Sequence, residues 1–435
     1  MAPGIVDYRP SLNEQFAARE AEDKLAPLYQ PQKKAAVDNV VHSPPGAQAD
    51  IDWIPSFEKY QQRVTRRLKE ATLEKQVPEG FPASVNYQMC WEGVNMTPSE
   101  YVYILSDVEI DEIEHALQHF KGLGLTKDEI SQTTFPLPGL RARLLQTAQE
   151  VHQGRGFAVL RGLDPSKYSL ADNVILYAGI ASYIGNKRGL QDRSGNVLVH
   201  IKDVGAAVAP DDQRQSPYAN NAQPFHNDLG DIIAMYVMDR PLSGGGSKIA
   251  STARVYNEIA ATRPDLIHVL AKGDWAFDNR HEDDFSYHKR PILFYDEKGN
   301  NVFFCFSRRQ LTGSTVSPRP PALPKLSESQ AEALDAVHFT AAKYALTINL
   351  EKGDLQFVNN LGVFHSREAF TDGEENKRRH IIRMWLRNKE LAWPTPEGLT
   401  EVWREIYGRD RNSVWYLNPV HTKAHVINRK ISCYG

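Results

Sequence analysis

The sequence predicts a mostly β fold with flanking helices, an α+β arrangement, and three observations carry that reading. From residue 187 onward short apolar runs recur between turn residues, the pattern of a sandwich or barrel. Between residues 106 and 185, by contrast, apolar residues fall at helical spacing behind capping pairs. One more helix, opened by Ser327 and Gln330, then interrupts the strands.

Residues 1–95 are rich in Pro, Gln, Lys and Glu and read as an extended, partly helical arm packing on the core. Trp53, Tyr60, Phe81, Tyr87 and Trp91 are its candidate anchors. Residues 96–395 form the main domain. Ser106 and Glu109 cap a helix carrying Ile110, Ile113, Leu117 and Phe120, which Gly122 ends. A second helix covers about 140–152, with Leu140, Leu144, Ala148 and Val151 on one face, and a strand follows over 156–162. Ser169 and Asp172 open a third helix that closes at Gly185. The apolar runs lie at 197–201, 232–238, 292–295, 302–306, 345–350, 355–358 and 380–386, the middle pair flanking a hairpin loop at 296–301. Residues 396–435 make an aromatic tail, with Trp403, Tyr407, Trp415 and Tyr416 packing on the outside.

The 435 residues carry a formal net charge of -3, and basic runs such as Lys377-Arg378-Arg379 are short, so no nucleic-acid partner is expected. The cysteines Cys90, Cys305 and Cys433 lack zinc or disulfide spacing and fit a reducing compartment. No stretch approaches the ~20 apolar residues of a membrane span. A cytoplasmic protein with a small-molecule partner and no membrane partner is therefore expected; a homo-oligomer is allowed but not indicated.

The chemistry centres on Phe225-His226-Asn227-Asp228. On an extended backbone His226 and Asp228 share a face, supplying two corners of a facial iron triad. Asp231 is a competing carboxylate, but the two-residue spacing favours Asp228. His365, at the end of a strand, turn and strand unit with Asn359-Asn360 and Gly362 in the turn, is the candidate third ligand. In the strand 379–386, Arg379, Ile381 and Arg383 share a face opposite His380, Ile382 and Met384. Two inward arginines need counter-charges, and a 2-oxo dicarboxylic acid supplies them. Residues 191–221, with many small and polar residues, suit a substrate lid from which His200 and Asn221 reach the pocket.

With these residues in view, the sequence resembles the taurine dioxygenase/clavaminate synthase-like iron(II)- and 2-oxoglutarate-dependent oxygenases, particularly their fungal-type members. The resemblance rests on 225–228, on Gly244-Gly245-Gly246-Ser247, on Asn359-Asn360 leading to His365, and on Arg379-His380-Ile381-Ile382-Arg383. It implies a double-stranded β-helix (jelly-roll) core, with Fe(II) held by His226, Asp228 and His365. It also implies that Arg379 takes the distal carboxylate of 2-oxoglutarate, supported by Ser247 where the family usually has Thr. Arg383 is then open to two roles, a substrate contact or a structural salt bridge. The activity implied is oxidation of a small carboxylate- or amine-containing molecule, such as an amino acid or a secondary-metabolite intermediate, by hydroxylation, desaturation or ring closure. Dioxygen and 2-oxoglutarate are consumed, and succinate and carbon dioxide form. Asp228 favours oxygen chemistry over halogenation. Two rivals are a cupin-like metalloenzyme that uses no 2-oxoglutarate and a non-catalytic binding protein retaining the barrel.

Overall fold

The computed structural model describes residues 47–419 except 71, 193, 215, 279–286, 375–376 and 409–412. The first 46 residues of the expected arm and the tail from 420, with Cys433, lie outside them.

Local signals set the helices of the first half. Ser106 caps the helix Asp107–Gly122: its hydroxyl accepts from the Glu109 amide while the Glu109 carboxylate takes the Ser106 amide at 2.8 Å. Helices Arg141–His152 and Leu170–Ile184 follow. The last is buried on every side from Asn173 onward, because the other two helices cover it on one side and a sheet on the other. It therefore lacks the polar face of a surface helix.

The strands are β1 (Val102–Ile104), β2 (Phe157–Arg161), β3 (Lys187–Gly189), β4 (Val199–Ile201), β5 (Gln223–His226), β6 (Ile232–Asp239), β7 (Ser243–Gly244), β8 (Ser247–Ser251) and β9 (Trp275–Asp278). They continue as β10 (Tyr287–Arg290), β11 (Leu293–Asp296), β12 (Asn301–Phe304), β13 (Leu346–Ile348), β14 (Leu355–Asn359), β15 (Val363–Arg367), β16 (Phe370–Thr371) and β17 (His380–Arg387). One sheet runs β1-β2-β14-β6-β17-β3, with β4 also pairing β17; a second runs β13-β8-β15-β5, all antiparallel. The hairpin expected at 296–301 is β11 and β12, with Asn300 at φ 53° in the turn.

Strand alternation separates two cores. From β6, Ile232, Ala234, Tyr236 and Met238 face the first-half helices, while Ile233, Met235 and Val237 face the other way, where Ile249 of β8 and Val363 of β15 join the same cluster. Burying each such large side chain contributes about 1.5–3 kcal/mol. Behind the four-stranded sheet, Phe225, Ala250 and Phe364 pack on helices Thr252–Thr262, Pro264–Ala271 and Glu328–Tyr344. The two sheets thus face each other, each backed by helices, and the pocket opens between them.

The described part of the arm contains the helix Phe57–Glu70, whose Phe57 and Tyr60 rings lie 5.0 and 5.2 Å from Phe339. Arg63 and Arg308 both pair with buried Asp335, at 2.9 and 2.6 Å. Among the described residues no helix is long and apolar enough to cross a membrane.

Candidate metal centre and its arginine wall

β5 and β15 are neighbours, and their register sets His226 directly opposite His365. The imidazole rings stand 4.2 Å apart, and Asp228 Oδ1 lies 3.7 Å from His226 Nε2 and 3.9 Å from His365 Nε2. These three side chains form a group able to hold a metal ion. The His226 Nδ1 bonds the Pro224 carbonyl at 2.9 Å, which fixes the ring and leaves Nε2 as a lone pair aimed at a carboxylate oxygen. Asp228 Oδ1 is buried and has no hydrogen-bond partner. Lone pairs meeting in a dry space repel unless a cation lies among them, so the donor set fits a divalent ion such as Fe(II).

The electrostatics agree. Burial, helped by its neighbour His226, pushes the His365 pKa down to about 3, and burial likewise lowers that of His226, so both rings are neutral, as ligands must be. For Asp228 burial works against the charge, but its neighbours, the Arg383 guanidinium foremost, hold the carboxyl below its usual range.

A brace sits behind the ligands. The Asn360 side chain accepts from the Asp228 amide at 2.8 Å and donates to the carbonyls of Asp228 and Gly230 at 2.7 and 2.8 Å, clamping the 228–230 backbone. Gly230 has φ 102°, and a Cβ there would meet the Tyr407 hydroxyl at 2.9 Å. That hydroxyl accepts from the Asp231 amide at 3.0 Å. Asp231 itself points away from the ligands to Arg387 and Trp403; burial raises its pKa to about 6 against the pull of both partners. The tail aromatics Trp403 and Tyr407 thus underpin the metal loop.

The pocket is lined by His226, Asp228 and His365, by Ser247, Arg367 and Arg379, and by Ile201, Ser216, Pro217, Gln223, Ile233, Met235, Ser366 and Arg383; Arg367 stands opposite Ser247, two residues along β15 from His365. Arg379 and Arg383 both reach it, although Arg379 lies just before β17. The triple glycine explains part of this packing. Gly244 has φ 73° and comes so near the backbone of Ala369 that a Cβ would meet its carbonyl oxygen at 2.3 Å. Arg379 Nη1, Arg367 Nε and Arg367 Nη1 are buried without hydrogen-bond partners. Burial lowers the Arg379 pKa to about 10 and that of Arg367 well below the usual arginine range, with Arg379 adding to the latter. Such a site is completed by a carboxylate.

Arg383 Nη1 donates to Asp228 Oδ2 and its Nε to Gln191 Oε1 at 2.8 Å, while its buried Nη2 has no partner in the pocket, so the ion pair is formed and one donor stays open. Other expectations change. His200 does not enter the pocket: on β4 it alternates with Val199 and Ile201, which take the inner face, and its nitrogens bond His380 Nε2 at 2.8 Å and the Tyr416 carbonyl at 2.7 Å. The Asn221 side chain is exposed, and only its backbone carbonyl serves the site, by accepting from Arg367. The described residues of 191–201 are mostly buried, and not a solvated lid: Gln191 is fully buried under Arg383, residues 199–201 form β4, and the residues after Ile201 run past the pocket.

The residues missed are Gln191, Asn360 as a clamp, and Arg367. Arg367 had a signal, since it stands two positions after His365 in the same strand. Gln191 had none, lying 192 positions from its partner.

A pocket that needs a divalent metal at one end and a carboxylate at the other has the working layout of the iron(II)- and 2-oxoglutarate-dependent dioxygenases. Comparison with known proteins agrees. The family described as Taurine catabolism dioxygenase TauD, TfdA family matches residues 120–385. The taurine hydroxylase-like protein SAT17 of Stachybotrys chartarum is 34% identical over 363 residues, covering 81% of this chain and 93% of that protein. FR-33289 synthase of Streptomyces rubellomurinus is 24% identical over 311 residues, covering 69% of this chain and 89% of the relative. Among solved structures, asparagine oxygenase in complex with Fe(II), 2S,3S-3-hydroxyasparagine and succinate shares the fold at a TM-score of 0.52 and 16% identity, over 66% of this chain and 93% of that one. The chain belongs to the TauD/TfdA family and is a 2-oxoglutarate-dependent non-haem iron dioxygenase.

Proposed function

We propose that the protein oxidises a small carboxylate- or amine-containing molecule, an amino acid or a secondary-metabolite intermediate, within a double-stranded β-helix formed by the two facing sheets. His226, Asp228 and His365 hold Fe(II), and Arg379 with the Ser247 hydroxyl holds the distal carboxylate of 2-oxoglutarate. Bound there, iron and 2-oxoglutarate activate dioxygen for removal of a substrate hydrogen, with succinate and carbon dioxide as co-products.

The chain's own residues orient and insulate. Asp228 is held ionised by Arg383, which Gln191 fixes in turn, so the carboxylate keeps Oδ1 for the metal while Oδ2 is occupied. Ile201, Ile233 and Met235 give the space beside the ligands an apolar wall that keeps water from the reacting carbon. Polar atoms of Gln223, Ser216 and Ser366 lie on the same wall and suit the polar groups of an amino-acid-sized substrate. Beside its ion pair with Asp228, Arg383 keeps the buried Nη2 free in the pocket as one donor for a substrate anion.

The observation that carries this reading is the pair of buried guanidiniums with free donors and no carboxylate partner among the described residues, in the same pocket as the His, Asp, His group. A metal centre working without 2-oxoglutarate would leave both without counter-charge. The FR-33289 synthase and the oxygenase solved with hydroxyasparagine support amino acids and secondary-metabolite intermediates as the first substrates to test. The experiment is a panel of such compounds assayed for substrate-stimulated succinate release. Release that needs Fe(II) and 2-oxoglutarate, and that in Arg379→Gln needs about 100-fold more 2-oxoglutarate, is expected; turnover without succinate would overturn the reading.

A further inference from the structure

Arg367 lies on the ligand-bearing face of β15. On one side its cross-strand neighbour is Gln223 of β5 and on the other Ser247 of β8, and both line the pocket. Its side chain is 6% exposed, as is that of Arg379, and the two guanidinium carbons lie 5.1 and 5.3 Å from the centre of the same Phe370 ring. No carboxylate of the described residues forms an ion pair with either. Two cations against one ring, near the Ser247 hydroxyl, make a receptor for an anion with two oxygens.

The remaining nitrogen of Arg367 is committed elsewhere. Nη2 donates to the Ala219 carbonyl at 2.8 Å and also to that of Asn221. These carbonyls end the segment 202–222, which carries Ser216 and Pro217 to the pocket wall. The segment has its own small core, Ala209 and Tyr218 with Val204 and Val208, and an internal ion pair between Arg214 and Asp203 at 2.5 Å. Near the pocket it is tied down at 219–221 by Arg367 and by the Phe370 amide, which donates to the Asn220 carbonyl at 3.1 Å, and at Ser216 by Arg309 Nη1, which donates to the Ser216 carbonyl at 3.2 Å. A piece with so small a core opens more easily than the sheets beneath it.

We infer that Arg367 couples co-substrate binding to this segment: its free Nε and Nη1 join Arg379 on the far carboxylate of 2-oxoglutarate, while Nη2 holds the 219–221 backbone down. The inference rests on the dioxygenase reading above. An empty site leaves Arg367 tethered only through Nη2; a filled site fixes the guanidinium and, through it, the wall that Ser216 and Pro217 present to substrate. By linkage, whatever orders the segment also tightens co-substrate binding. Arg379 lacks the second function, because no hydrogen bond runs from its guanidinium to the segment among the described residues.

The test is hydrogen exchange of the peptides spanning 203–222 in the full chain loaded anaerobically with Fe(II), with and without saturating 2-oxoglutarate, beside a direct binding titration. In wild type, 2-oxoglutarate slows exchange there by about fivefold or more, the scale of a 1 kcal/mol coupling. In Arg367→Gln the affinity falls by about tenfold or more, as for loss of one charge-assisted contact, and at saturation exchange in 203–222 no longer responds. Arg379→Gln also binds weakly, yet at saturation it keeps the protection. Arg367→Lys, which keeps the charge without the fork, regains part of the affinity but not the protection. Wild-type affinity in Arg367→Gln, or protection undiminished there at saturation, overturns the inference alone. Failure of metal-loaded wild type to bind 2-oxoglutarate overturns the dioxygenase reading with it.

Discussion

The two ends of the pocket are built on opposite principles. At the metal end the supporting polar groups are satisfied: Asn360 grips three backbone groups, Tyr407 accepts from Asp231, and Arg383 and Gln191 fix the outer oxygen of Asp228. Among the described residues Asp228 Oδ1 faces the ligand position without a partner, and Asn227 Oδ1, His365 Nδ1 and Arg383 Nη2 are the other unpartnered polar atoms there. At the arginine end the reverse holds, since Arg367 and Arg379 are buried with free donors and no carboxylate opposite. The metal end is therefore preorganised, whereas the arginine end is completed by what it binds.

That difference predicts a graded set of outcomes. The largest effect follows from removing a ligand: His226→Ala is expected to abolish Fe(II) retention and lower turnover by about 1000-fold or more, measured by iron analysis and succinate release, because a facial triad has no spare donor. Next, Arg379→Gln should raise the 2-oxoglutarate KM about 100-fold with Fe(II) affinity unchanged, since losing one partner of a buried charge contact costs about 2–5 kcal/mol. An equal loss of metal affinity in that variant would erase the distinction between the two ends. Third, Asn360→Ala removes no metal-binding atom and no co-substrate contact, only the clamp on the Asp228 backbone, yet should weaken Fe(II) binding by about 10-fold or more, as loss of a group that orients ligands does; unchanged affinity in a metal titration would show the clamp to be dispensable.

The smallest effect concerns stability behind the metal end. His152 is buried with its Nε2 on the Ile184 carbonyl at 3.3 Å, and its own carbonyl accepts from Trp393 Nε1 at 2.9 Å. Burial pushes its pKa down to about 4 from the ordinary 6.5. A depressed folded-state value means its stabilising share is full above pH 6.5 and is lost as pH falls toward 4. The loss from this group should reach about 2 kcal/mol by pH 5. Urea midpoints at pH 7.5 and 5 measure it, and a His152→Gln variant should show a shallower fall.

Much of this was legible in the sequence where the cause is local. The Ser106/Glu109 and Ser327/Gln330 boxes open helices where read, and the run 232–238 is the strand β6 with its two faces divided by alternation. His226, Asp228 and His365 could be nominated because a facial triad needs those residue types. What was hidden depends on pairing across long stretches of chain. Nothing near His200 says which face of β4 points inward, and one residue of register reverses the answer. Gln191 and Asn360 act on backbone more than 130 positions away. Asn360 could be read only as a turn residue, though its side chain does the holding. Arg367 was within reach, since the alternation that pairs His226 with Asp228 also pairs His365 with Arg367.

The central claim is that one pocket holds iron at its preformed end and 2-oxoglutarate between that iron and the arginines. Anaerobic titration of the Fe(II)-loaded protein with 2-oxoglutarate, followed by the weak visible charge-transfer band, tests it most directly. The account predicts a saturable band in wild type, the same band at about 100-fold higher concentration in Arg379→Gln, and none in His226→Ala. No band in wild type, or an undiminished one in His226→Ala, would contradict it.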